Sequence, residues 1–264
     1  MKQPVRERRG IPLRAVVPNA VTALALCVGL TGVRFAISEE WEKAIAAIVI
    51  AAILDGLDGR IARALNGQSR FGAELDSLSD VIAFGVSPAI ILHLWALQYW
   101  PRFGWMFALA YAVCAALRLA RFNANIDAEE QPHKSAGFLT GVPAPAGAGL
   151  LLLPVYLWIA SDQQWIWLHE IYLVAPWAAF VAFLMISSVA TFSWTSLRLR
   201  RGVRLWAIGA IALLGAALFS APWQTLSVAA LVYVALIPFS IAAYVKVKRQ
   251  RRAARSQGSP EPSL

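Results

Sequence analysis

Apolar residues in this chain gather into long runs instead of alternating with polar ones. Eight runs stand out, at roughly 15–37, 41–65, 73–97, 103–123, 141–160, 171–193, 203–221 and 223–245. About 20 apolar residues in a helix span the hydrocarbon core of a bilayer. A bilayer offers the backbone no water, so a spanning segment satisfies its N–H and C=O groups internally, as a helix does. The pattern therefore predicts an all-α fold: a polytopic transmembrane helical bundle of about eight spans. Pro222, between the last two runs, marks a helix break. Trp100, Trp165, Trp167 and Trp223 fall near run ends, where indole rings favour the membrane–water interface. Two runs depart from the pattern: the second and third contain Asp55, Asp58, Asp76 and Asp80.

Composition excludes the soluble reading of these helices. Of 264 residues, 59% are hydrophobic and only 15% charged, against about 25% charged in an ordinary soluble domain. The mean hydropathy is +0.59. The first run follows a basic stretch, as a signal peptide would, but it exceeds the ~7–15 residues of a signal core and has no evident cleavage site. It reads as a retained membrane helix.

The distribution of cations gives an orientation. The net charge is +9. The N-terminal arm carries five Lys and Arg, the second-to-third connection three, the fourth-to-fifth three, the sixth-to-seventh four and the C-terminal tail six, which is 21 of the 24. Only Arg34, Lys43 and Arg102 fall on the other side. This bias predicts both termini in the cytoplasm, an even span count, and the aspartate segment at the cytoplasmic face of the cell's inner membrane. The basic residues flank spans and suit an anionic leaflet; they form no separate domain that would bind nucleic acid. The expected organisation is a basic arm over 1–14, a membrane domain over 15–245, and a tail over 246–264 that is basic and then, from its Pro/Ser-rich composition, disordered. Cys27 and Cys114 sit in apolar runs without a metal-type spacing, and His93, His133 and His169 are scattered.

The acidic segment reads Asp-Gly-Leu-Asp-Gly-Arg-Ile-Ala-Arg from Asp55 to Arg63 and Gly-Ala-Glu-Leu-Asp-Ser-Leu-Ser-Asp from Gly72 to Asp80. On a helix, Asp55, Asp58, Gly59, Ala62 and Arg63 share one face, and so do Gly72, Asp76 and Asp80. The connection between them is short, which makes the helices antiparallel neighbours, so the two acidic faces look at each other. Four carboxylates repel one another and are costly to desolvate unless some are protonated or cations sit among them. Oxygen donors without Cys or His favour a hard ion such as Mg²⁺, Mn²⁺ or Ca²⁺. Gly59, Gly72 and Ala62 leave room on these faces, and the Arg63 guanidinium is suited to phosphate. Metal-assisted phosphoryl-type transfer is one reading. A cation-coupled transporter is the other, since intramembrane carboxylates also line ion pathways. Clustering of the acids near one face favours the enzyme.

The spacing Asp55-x2-Asp58-Gly59-x2-Ala62-Arg63-x8-Gly72-x3-Asp76-x3-Asp80 resembles the signature of the CDP-alcohol phosphotransferases. The resemblance implies transfer of a phosphatidyl-type group from a CDP-linked donor to an alcohol, with release of CMP. It implies that Asp55, Asp58, Asp76 and Asp80 hold a pair of divalent ions, Mg²⁺ or Mn²⁺, with Asp80 the general base. It implies CDP contacts at Gly59, Arg63 and Ser69, and at Pro18, Asn19, Ala20 and Val21, which match a motif at the start of the first span. A homodimer is expected on the same ground.

Two further blocks, Arg118-Leu-Ala-Arg121-Phe-Asn123 and Phe138-Leu-Thr-Gly-Val-Pro-Ala-Pro-Ala146, look like those of membrane-bound phosphatidylserine synthases. There the second usually reads FxGLPxP, from which Val142 departs by one conservative step. This resemblance implies CDP-diacylglycerol and L-serine as substrates, with choline, glycerol 3-phosphate or an inositol compound as alternative acceptors. Arg118, Arg121 and Lys134 could pair with the serine carboxylate. Topology alone also places cations there.

Overall fold

The computed structural model describes residues 13–124, 138–187, 190–192 and 204–257. Ten α-helices are described: α1 (Leu13–Ile37), α2 (Trp41–Ala64), α3 (Arg70–Asp80), α4 (Ser87–Trp95), α5 (Gly104–Ala124), α6 (Ala144–Leu151), α7 (Leu153–Ala160), α8 (Ile171–Ile186), α9 (Arg204–Ser220) and α10 (Pro222–Gln257). The other regular elements are short. Strands β1 (Phe138–Thr140) and β2 (Ala190–Phe192) pair antiparallel, Leu139 opposite Thr191.

Helices occupy all eight apolar runs, but among the described residues four stretches are long and apolar enough to cross a membrane: Val16–Ile37, Arg70–Trp95, Gly104–Ala124 and Pro222–Ser240. The apolar α8 has only 16 residues. Helix α2 is long enough, at 24 residues, but Asp55, Asp58, Arg60 and Arg63 interrupt its apolar character. The fifth run is two helices, not one. The chain breaks at Leu152, and Pro154 sits in the first turn of α7, where a missing N–H costs nothing. The sixth run ends its helix at Ile186 and passes into β2. Helix α10 continues through the basic segment to Gln257, past the boundary at 245 that hydropathy suggests.

The third run is one rod, α3 and α4 joined by a π-helical turn over Val81–Val86, in which the Ser87 N–H bonds to the Ile82 carbonyl. Its cause is Pro88, four residues after Phe84. Proline has no N–H to offer the carbonyl four residues back, and its ring presses on that carbonyl. Phe84 is buried. An orphaned carbonyl there would cost about 1–3 kcal/mol, and the Tyr111 hydroxyl from α5 donates to it at 2.9 Å.

Helix α1 packs against both α2 and α3, and α5 packs against α8 and the π turn. Close approach of α1 and α2 rests on small residues. A Cβ on Gly32 would stand 2.9 Å from the Ala44 carbonyl, the kind of contact that lets membrane helices touch by their backbones. The core is built on Ile45, Phe84, Ile91, Trp95, Tyr111 and Leu151, all at most 1% exposed.

Candidate active site

The turn between α2 and α3 aims the acidic faces at each other. Asn66 takes the left-handed conformation, with φ of 49°. The N–H of Gly67 bonds to the Ala62 carbonyl and that of Asn66 to the Arg63 carbonyl, which is a Schellman stop with asparagine in place of glycine. Three residues later Ser69 caps α3, its hydroxyl accepting from the Gly72 N–H at 3.0 Å. The chain thus reverses within five residues, 65–69.

Asp55 and Asp58 on α2 and Asp76 on α3 each offer an oxygen, all within 4.8 Å of one another. This is a donor set that could hold a metal ion. Asp58 is 4% exposed. Asp80 lies one turn further along α3, against Asp55 and within electrostatic reach of Asp76 and Arg118. Its Oδ1 is buried and without a hydrogen-bond partner, as is Nε of Arg118. A buried carboxylate oxygen and a buried guanidinium nitrogen, both without a hydrogen-bond partner, mark a place that a ligand or ion completes.

A cavity of about 260 Å³ opens beside the acids, lined by Pro18, Asn19, Thr22, Asp58, Gly59, Ala62, Arg63, Gly67, Gln68, Ser69, Gly72, Ala73 and Asp76. Of the residues expected to contact CDP, five line it: Pro18, Asn19, Gly59, Arg63 and Ser69. Ala20 and Val21 do not. Steps of 100° per residue put 18 and 22 on one side of α1 and turn 20 away from it. Ser69 has a second role, as the cap of α3. The first turn of that helix forms part of the wall, and a helix N-terminus favours anionic groups such as phosphate.

Thr22 is the residue that sequence reading missed. Its hydroxyl donates to Asp58 Oδ2 at 2.6 Å, with the Pro18 carbonyl a second acceptor at 3.1 Å. The Ser79 hydroxyl on α3 donates to the Thr22 carbonyl at 3.3 Å. One threonine therefore ties α1 to both acidic helices and fixes the direction of Asp58. The available signal was its place one turn after Pro18 in an apolar run.

The three acceptor candidates separate. Arg118 lies within electrostatic reach of Asp80. Arg121 is exposed and donates to the Ile186 carbonyl at 2.9 Å, at the end of α8, where a cation complements the helix dipole. Lys134 lies outside the described residues. In the second acceptor block, Gly141 has φ of +75°, and a Cβ there would lie 3.1 Å from the Ser187 carbonyl. The block's glycine thus joins β1 to α6 in a conformation that other residues rarely adopt. Val142 is fully buried.

The family model for CDP-alcohol phosphatidyltransferase matches residues 15–184, and that for CDP-alcohol phosphatidyltransferase 2 matches residues 203–238. A Mycobacterium bovis protein named CDP-diacylglycerol–serine O-phosphatidyltransferase is 39% identical over 89% of this chain and 81% of its own length. A Mycobacterium leprae protein of the same name is 39% identical over 89% of this chain and 77% of its own length. The Bacillus subtilis protein of that name is 34% identical over 52% of this chain and 74% of its own length. With the acidic motif, its helical frame and its cavity all inside the matched region, the chain belongs to the CDP-alcohol phosphatidyltransferase family.

Proposed function

We propose that this chain transfers the phosphatidyl group of CDP-diacylglycerol to the hydroxyl of L-serine, giving phosphatidylserine and CMP in phospholipid biosynthesis. The observation that carries the acceptor is the 39% identity to proteins named for this reaction over 89% of the chain. Arg118, within electrostatic reach of Asp80, supports it. Serine brings a hydroxyl for Asp80 and a carboxylate for Arg118.

In this reading the cavity takes the cytidine diphosphate, with Arg63 and the first turn of α3 at the phosphates. Asp80 removes the serine proton, the serine oxygen bonds to the β-phosphorus, and the bond to the CMP oxygen breaks. Asp55, Asp58, Asp76 and Asp80 would hold divalent ions, a Mg²⁺ or Mn²⁺ pair, which supply charge neutralisation at the phosphates. Close oxygen donors without nitrogen or sulfur fit that role. The acyl chains stay in the bilayer.

The same reading places eight spans in the inner membrane of the cell, with both termini and the site at its cytoplasmic face, supported by the cation bias. The domain limits are those of the sequence, 15–245 between a basic arm and a basic tail, and the working unit is a homodimer.

The test is an acceptor panel. Purified protein receives CDP-diacylglycerol with Mn²⁺ or Mg²⁺, and CMP is measured with serine, choline, glycerol 3-phosphate or inositol. CMP release with serine alone is expected. Release only with another alcohol would move the acceptor, and no release with any of them would favour a transporter. The cavity has its own test. A Cβ on Gly72 would stand 2.7 Å from Asn19 Oδ1 and 3.1 Å from Ser69 Oγ. Gly72→Ala is expected to raise the KM for CDP-diacylglycerol about tenfold, which corresponds to ~1.4 kcal/mol. An unchanged KM would show that this wall is not used by the donor.

A further inference from the structure

We propose that Tyr111 is a positioning residue for the transfer reaction, locking the π turn to α5 so that Asp80 meets Arg118. This rests on the reaction proposed above. Four observations meet at this residue. Tyr111 is fully buried, so its hydroxyl has no water to turn to. It donates at 2.9 Å to the Phe84 carbonyl, the one that Pro88 deprives of its ordinary helical donor. The π turn holding that carbonyl begins at Val81, immediately after Asp80. Seven residues beyond Tyr111, two turns along the same face of α5, Arg118 lies within electrostatic reach of Asp80.

The π turn decides which way Asp80 points. Each residue advances a helix by about 100°, so a turn widened by one residue rotates everything before it relative to α4. Such turns recur at functional sites for this reason. Pro88 has no N–H to offer the Phe84 carbonyl in this turn. Tyr111 supplies the donor from the helix that also carries Arg118. This hydrogen bond, together with that from the Asn123 side-chain amide on α5 to the Ser77 hydroxyl on α3 at 2.8 Å, ties the acid-bearing rod to the cation-bearing helix. The fit around the hydroxyl is close. A Cβ on Gly147 of α6 would lie 3.4 Å from it, and a Cβ on Gly85 would lie 3.2 Å from Ala115 of α5.

The experiment compares purified full-length variants by CMP release with serine, with thermal unfolding measured alongside. Tyr111→Phe is expected to lower kcat about tenfold, with KM for serine and for CDP-diacylglycerol within twofold of wild type. Tyr156→Phe is the matched control. The Tyr156 hydroxyl likewise donates to a backbone carbonyl, that of Gly149, but this bond ends on α6 and not on the rod that carries Asp80. It is expected to shift the unfolding midpoint as much as Tyr111→Phe does and to leave kcat unchanged. Equal losses of kcat in the two variants, or wild-type kcat in Tyr111→Phe, would overturn the proposal. Should Tyr111→Phe not fold, Pro88→Ala decides. It returns an N–H to the Phe84 carbonyl and relaxes the turn, so a kcat loss at constant KM supports the proposal and a wild-type kcat overturns it. Failure of the wild type to release CMP with serine would strike the reaction itself, a separate result.

Discussion

Asp80→Asn is expected to lower CMP release by about 10³-fold, in the range that loss of a general base gives, while CDP-diacylglycerol binding stays within a few-fold. The asymmetry follows from where Asp80 lies. It does not line the cavity, but sits beyond it, against Asp55 and within electrostatic reach of Arg118. Asparagine keeps the shape and can still accept a hydrogen bond, but it cannot take the serine proton. Donor binding, measured by displacement of a labelled CDP-lipid, therefore separates from turnover. Retained turnover would remove Asp80 as the base. Loss of donor binding in parallel would mean that Asp80 serves the ions more than the acceptor.

Asp58→Asn is expected to weaken divalent-metal binding at least about 100-fold, the upper end of what disturbing a supporting residue costs. Asp58 is the most constrained of the four acids. It is buried, and Thr22 fixes one of its oxygens at 2.6 Å. The amide removes one charge from a crowded carboxylate set and leaves the Thr22 hydroxyl facing a group that must rotate to accept from it. Thr22→Val removes only the support, and about a tenfold loss is expected. Mn²⁺ binding followed by electron paramagnetic resonance reads the effect without turnover, and chelation of the wild type should abolish CMP release until Mg²⁺ or Mn²⁺ is returned. Wild-type Mn²⁺ affinity in Asp58→Asn would take Asp58 out of the metal set.

The acidic site was legible because its information is local. The periodicity of a helix alone puts Asp55, Asp58 and Arg63 on one face and Gly72, Asp76 and Asp80 on another, and a short connection makes the two helices antiparallel neighbours. The same arithmetic, applied to α1, turns Ala20 away from Pro18; taking the motif as a block obscured it. Arg118 and Arg121 look alike in sequence, three residues apart. One lies within electrostatic reach of Asp80 and the other caps α8, a difference that depends on which helix ends lie nearby.

What the sequence determined by itself was therefore the membrane character, the helical class and the acidic faces, since hydropathy and spacing act within one segment. Tertiary structure alone decided that Thr22 holds Asp58, that Tyr111 answers the carbonyl freed by Pro88, and that Arg118 rather than Arg121 comes within electrostatic reach of Asp80. Each of these joins residues 27–38 positions apart. No periodicity specifies such a pair. It follows from how α1 and α5 pack against the acid-bearing rod, where a buried polar group must find its partner on whichever helix lies against it.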